Sequence, residues 1–216
     1  MFSKISGQQC VLPRFNAVFL AVVTFTVGYI LLSILAHPEH KTLDYHFNSE
    51  RGLITGLSAT YLAMSGAFAV ATLMVHIRSG NAAVWAWVIL AFGFTFLALD
   101  EVVQFHERMG SILGHQMSSG VFRNWNDVIV IAYGIIALPI IAVIFPSIAQ
   151  YKTTLKLFCL AFVFYLLHTF IDSTQDPSTV ISRILEESAK LFCGAFLALS
   201  MFCSFFEALW QADSAD

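Results

Sequence analysis

The chain has 216 residues, 58% hydrophobic and only 12% charged, with a mean hydropathy of +0.76. Soluble domains carry about 25% charged residues, so this composition argues against a water-soluble globule and for an all-α integral membrane protein. The net charge of −3 argues against a nucleic-acid partner, which would require a basic face. Membrane lipids are the expected surroundings, with other membrane subunits as further candidate partners.

Six apolar runs predict a six-transmembrane-helix bundle forming one domain over residues 1–216, since a helix needs about 20 apolar residues to cross a bilayer. In lipid the backbone must satisfy itself within helices or a closed barrel, and these runs are too long for barrel strands. The first run, 16–36, is too long for a signal-peptide core and has no convincing small-residue cleavage site, so it reads as retained. A loop follows with His37, His40, Asp44 and His46.

The second run, 53–77, places Gly52, Gly56, Ala59, Ala63 and Gly66 at alternating spacings of four and three. That is one helix face, and small residues there let a neighbouring backbone come close. A central packing helix is the expectation. The third run, 83–107, opens on Trp85 and Trp87 and ends in LALDEVVQFHERMG, residues 97–110. On a continuous helix at about 100° per residue, Asp100, Gln104 and Glu107 form one face. Glu101 then flanks that face, and His106 points elsewhere unless the helix end unwinds.

A glycine-containing loop, 108–125, is placed to cover whatever lies at this end. The fourth run, 127–145, begins behind Asn124, Trp125 and Asn126, with Asp127 suited to capping it. The fifth, 155–172, ends with His168 and Asp172, i,i+4 partners able to address one point. Before the sixth, 180–207, Asp176 and Pro177 read as an N-cap and first-turn pair. Glu186, Glu187 and Lys190 lie in its early turns, and Glu186 with Lys190 has the spacing of an internal ion pair. From Pro177 to Phe206 this helix would rise about 45 Å, so its first turns project beyond the hydrocarbon layer. Cys10, Cys159, Cys193 and Cys203 show no CxxC spacing and read as free thiols.

With six spans, the ends of the odd helices and the starts of the even ones share a side. That side gathers Asp100, Glu101, His106, Glu107, His168, Asp172 and Glu187; the other has only His76, Arg78, Lys152 and Lys156. Ionisable groups within spans are costly and usually functional, so the gathering predicts a polar site. Carboxylates with a minority of imidazoles suit zinc, iron or manganese. Asp100, Glu101, His106, Glu107, His168, Asp172 and Glu187 are the candidate ligands of a divalent metal, and Glu101 or Glu107 the candidate general base.

The gathering of His and Asp at one membrane face looks distantly like the alkaline-ceramidase and progestin-receptor group of multi-span zinc hydrolases. That group has seven spans and a His-x-x-x-His pair in the last, where this chain has His168-x-x-x-Asp172 in the fifth of six.

The expectation is a metal-dependent membrane enzyme, hydrolase or oxidoreductase, acting on a lipid-like or apolar substrate. The alternatives are a non-catalytic subunit of a membrane complex and a proton- or cation-coupled transporter, the latter needing polar groups that continue to the His76 side. For orientation, Lys and Arg divide evenly between the two sides, which leaves the positive-inside rule undecided. Lys152 and Lys156 stand without acidic neighbours, which favours both termini in the cytoplasm.

Overall fold

The computed structural model describes residues 15–36, 47, 52–80, 84–116, 125–174 and 179–214. These form seven long helices: α1 (Phe15–Ala36), α2 (Leu53–Arg78), α3 (Val84–Val103), α4 (Phe105–Gln116), α5 (Trp125–Ala149), α6 (Lys152–Thr174) and α7 (Val180–Asp213). All but α4 contain a stretch long and apolar enough to cross a membrane. Among the described residues there is no strand.

The expected runs are matched closely except at three ends. The third stops at Val103 and a new helix begins at Phe105, where one helix through residue 107 was expected. The fourth continues to Ala149, carrying Pro139 and Pro146 inside it. Proline removes a backbone donor, and apolar helices of this type tolerate that where neighbours or local adjustments satisfy the freed carbonyls. The sixth runs on to Asp213, and its 34 residues rise about 51 Å. Between α2 and α3 the chain turns at Gly80, whose φ of +67° lies in the left-handed region that favours glycine.

The packing is organised around α7, which lies against α6 on one side and α2 on the other, while α2 in turn packs on α3. Residues of α2, α3, α5 and α7, with Tyr151, share one buried cluster that includes Ala69, Trp87, Phe94, Ile144 and Met201, and Phe158 of α6 packs against it. α1 contributes Phe15, Val18, Phe19 and Val22 to a second cluster with Leu157, Ala161 and Phe196. Single hydrogen bonds tie the helices laterally. Thr26 Oγ1 lies 2.7 Å from Tyr61 OH, Thr72 Oγ1 3.2 Å from Ser204 Oγ, and Ser200 Oγ donates to the Thr154 carbonyl at 3.0 Å. A typical side-chain hydrogen bond contributes about 0.5–1.5 kcal/mol, so close packing carries most of the cohesion.

α2 is the expected central helix, but its five small residues do not form one buried face. Gly56 and Ala63 are exposed, while Ala59 and Gly66 are buried with Ser58, Tyr61, Ser65 and Ala69. Gly66 marks the tightest approach: a Cβ there would stand 2.9 Å from Thr95 Oγ1 and 3.4 Å from Thr95 N. Gly66→Ala is therefore expected to push α3 away and cost about 1–3 kcal/mol, as overpacking does. Unfolding of the purified protein in detergent measures this, and Thr95→Ala in the same chain should recover much of the loss.

Candidate functional site

The stretch that ends α3 is a built helix break. The Gln104 N–H donates to the Asp100 carbonyl at 2.7 Å, which closes α3, and the Arg108 N–H donates to the Gln104 carbonyl at 3.0 Å, which opens α4. Gln104 thus serves as the last cap of one helix and the first of the next. Its φ is +63°, a conformation costing a non-glycine residue about 1–2 kcal/mol. The carboxylate of Asp100 offsets that cost. Its Oδ1 accepts the His106 backbone N–H at 3.1 Å, and its Oδ2 lies 2.8 Å from His106 Nδ1. His106 holds the second position of α4, where a side-chain oxygen normally satisfies an orphan N–H; here Asp100 supplies it from the preceding helix.

Asp100 is 6% exposed, so the carboxylate sits largely out of water while the His106 ring stays partly accessible. The expected face of Asp100, Gln104 and Glu107 required one unbroken helix and does not exist as such. Gln104 is the turning point, and His106, which a straight helix would point away, is folded back onto Asp100. Tyr133 of α5 stands near enough to feel the Asp100 charge.

One residue further on, Glu101 crosses to α7. Lys190 Nζ lies 2.9 Å from Glu101 Oε1 and 3.3 Å from Glu187 Oε2, joining α3 and α7 through one ammonium. The expected Glu186–Lys190 pair is replaced by Glu187–Lys190 at i,i+3. Glu186 faces α6 instead: His168 Nδ1 lies 3.3 Å from its carbonyl oxygen and 3.9 Å from its Oε1. The structure therefore assembles Asp100 with His106, Glu101 with Lys190 and Glu187, and His168 with Glu186, all at the end where α3 and α6 finish and α7 starts.

The side chains of Glu107 and Asp172 lie outside the described residues, as do His37, His40, His46 and Asn124 and the side chain of Asp127. Among the described residues no three His, Cys, Asp or Glu side chains stand where they could hold one metal ion. Both oxygens of Asp100 are committed to His106, and Glu101 and Glu187 share a cation that the chain itself provides.

The other end is richer than its sequence suggested. His76 Nε2 lies 2.8 Å from Tyr151 OH, and the His76 ring stacks on Trp87 with centroids 5.5 Å apart. Glu207, 8% exposed, accepts from Thr154 Oγ1 at 3.4 Å and from the hydroxyl and backbone N–H of Thr153. Those groups belong to the first turn of α6, so Glu207 caps that helix from α7, where a negative charge suits the helix dipole. Burial, and next the charge of Glu207, push the Tyr151 phenol well above its ordinary range, so it stays protonated. A lone Glu within the apolar run ALSMFCSFFEALW was the available signal for this cluster; Tyr151 had none.

The model of a family described as "Domain of unknown function (DUF8692)" matches residues 16–204, which takes in both polar ends except Glu207. No curated protein and no solved structure matches the chain.

Proposed function

The chain belongs to that family, DUF8692, whose description assigns no chemistry, and from the geometry at the α3–α4 break we propose an acid–base centre of a membrane enzyme acting on lipid-like substrates. Two features support the membrane reading. Six helices are long and apolar enough to cross, and large side chains such as Leu32, Leu35, Phe92, Leu138 and Phe170 face outward. Apolar patches of that extent suit hydrocarbon and not water.

The observation that carries the enzymatic reading is the Asp100–His106 pair. A largely buried carboxylate holds one ring nitrogen and the backbone of the same histidine, so the imidazole is fixed before any substrate arrives. A histidine oriented in this way is suited to take a proton from an attacking water and return it to the leaving group. Its side chain is a quarter exposed, while that of Asp100 is 8% exposed, so the ring is the accessible partner. Lys190, held between Glu101 and Glu187, supplies a fixed charge at the same end of the bundle.

One-sided chemistry is favoured over passage across the bilayer. The polar ends are separated by a buried apolar cluster that includes Leu90, Phe94 and Met201. Hydrolysis of a polar bond in a lipid is the reaction this site suits best. The test reconstitutes the protein in lipid discs and offers ester-, amide- and phosphoester-linked lipids in turn. One class should be hydrolysed, with His106→Gln slower by about 10²–10⁴-fold, the usual contribution of a positioned acid–base group. Equal rates for the two proteins, or no hydrolysis of any class, would overturn the reading.

A further inference from the structure

The polar group at the other end has no part in that chemistry, and it contains an incompleteness of its own. His76, Trp87 and Tyr151 come from α2, α3 and the turn before α6, and are 2%, 0% and 0% exposed. Their rings enclose one another: His76 stacks on Trp87 at 5.5 Å, and Tyr151 meets Trp87 edge-on at 5.6 Å. Yet His76 Nδ1 and Trp87 Nε1 have no hydrogen-bond partner among the described residues. Buried polar atoms are almost always paired with protein or ordered water, because leaving one dry forfeits the hydrogen bond it had in the unfolded chain. Two such atoms on a stacked pair of rings each call for a partner, and a single occupant serves both most economically.

The chemistry of the two atoms selects that occupant. The indole N–H only donates, so the occupant must accept. The bond between Tyr151 OH and His76 Nε2, 2.8 Å long, runs one way or the other with the histidine tautomer. If Tyr151 donates, Nδ1 carries a hydrogen and needs an acceptor; if Nε2 donates, Nδ1 is bare and needs a donor. Water serves both cases. An anion serves only the first, and it would have to settle close to Tyr151, on which the Glu207 charge already acts. A cation is refused by the indole N–H.

We infer that one buried water molecule bridges His76 Nδ1 and Trp87 Nε1. It extends the His76–Tyr151 pair into a hydrogen-bonded chain from α3 through α2 to the turn before α6. Buried waters occupy polar sites with two to four partners, whereas apolar cavities stay dry; two partners are in place here. The bridge adds a polar link between α2 and α3 to the direct His76–Tyr151 bond, and it hydrates the end of the bundle opposite the candidate enzyme site.

The test reads the indole N–H of Trp87 directly. Trp85, Trp125 and Trp210 are replaced by Phe, and ultraviolet resonance Raman then reports whether the remaining indole is hydrogen-bonded. The band is expected at its hydrogen-bonded position. In parallel, NMR of the unmodified protein should show a cross-peak between water and the Trp87 Nε1 proton, which guards against a triple variant that fails to fold. A free indole N–H in the Raman spectrum, or no water cross-peak in a well-resolved NMR spectrum, would sink the inference.

Discussion

Replacing Lys190 with Met is expected to destabilise the protein by about 3 kcal/mol, because removing one partner of a buried ion pair leaves the other charge uncompensated. Here two carboxylates, Glu101 and Glu187, would be left facing each other across the gap that the ammonium now spans at 2.9 and 3.3 Å. A surface pair would cost under about 1 kcal/mol. Side-chain exposures of 27% for Lys190 and 15% for each glutamate place this group nearer the interior, so the larger value applies. Against a typical total stability of about 5–15 kcal/mol, that is enough to lower the yield of folded protein. Equilibrium unfolding of the variant in mixed detergent is the measurement. The triple replacement Lys190→Met, Glu101→Gln, Glu187→Gln should recover most of the loss, since exchanging a whole buried ion group for neutral side chains is often close to neutral. If Lys190→Met alone unfolds like the parent protein, the ammonium is not the clasp between α3 and α7.

What the sequence made legible follows from the solvent it implies. Hydrocarbon forces the backbone into helices and rewards long apolar runs, so composition and run length were sufficient to locate the six candidate spans. The break at Gln104 was not legible for a physical reason. LALDEVVQFHERM contains neither Gly nor Pro, the residues that ordinarily mark a helix end. The left-handed turn is made tolerable by Asp100 reaching six residues forward to His106, a tertiary solution and not a propensity. Lys190 illustrates the same limit. Spacing allowed it a partner at either Glu186 or Glu187, and only the arrival of Glu101 from α3 selects Glu187. For the small residues of α2, spacing identified a packing helix but not which of them would be buried. Gly66 meets Thr95 while Gly56 has nothing within 4 Å. His76 and Tyr151 stand 75 residues apart, a pairing that no local pattern announces.

Two substitutions of Asp100 should separate the structural from the chemical part of its work. Asp100→Ala removes both oxygens, leaving the His106 N–H without a cap and its ring without an anchor. Loss of a helix cap costs about 1–2 kcal/mol, and the strain of Gln104 at φ +63° then has nothing to offset it. Amide hydrogen exchange across Phe105–Arg108 is expected to accelerate about tenfold or more, one decade for each 1.4 kcal/mol or so of lost protection. Gln104→Gly in the same chain should return part of it, because glycine adopts that φ without penalty. Asp100→Asn behaves differently. Its amide oxygen still accepts the His106 N–H, so exchange should stay close to that of the parent. What it loses is the charge opposite Nδ1, and with it the acceptor that fixes the tautomer of the ring. In catalytic Asp–His pairs that single change is known to cost about 10⁴-fold in rate with the geometry intact. Hydrolysis by Asp100→Asn should therefore fall by at least about 10²-fold while α4 keeps its start. Full activity with Asp100→Asn and slow exchange would leave Asp100 as a cap alone, and the acid–base reading of the site would fall with it.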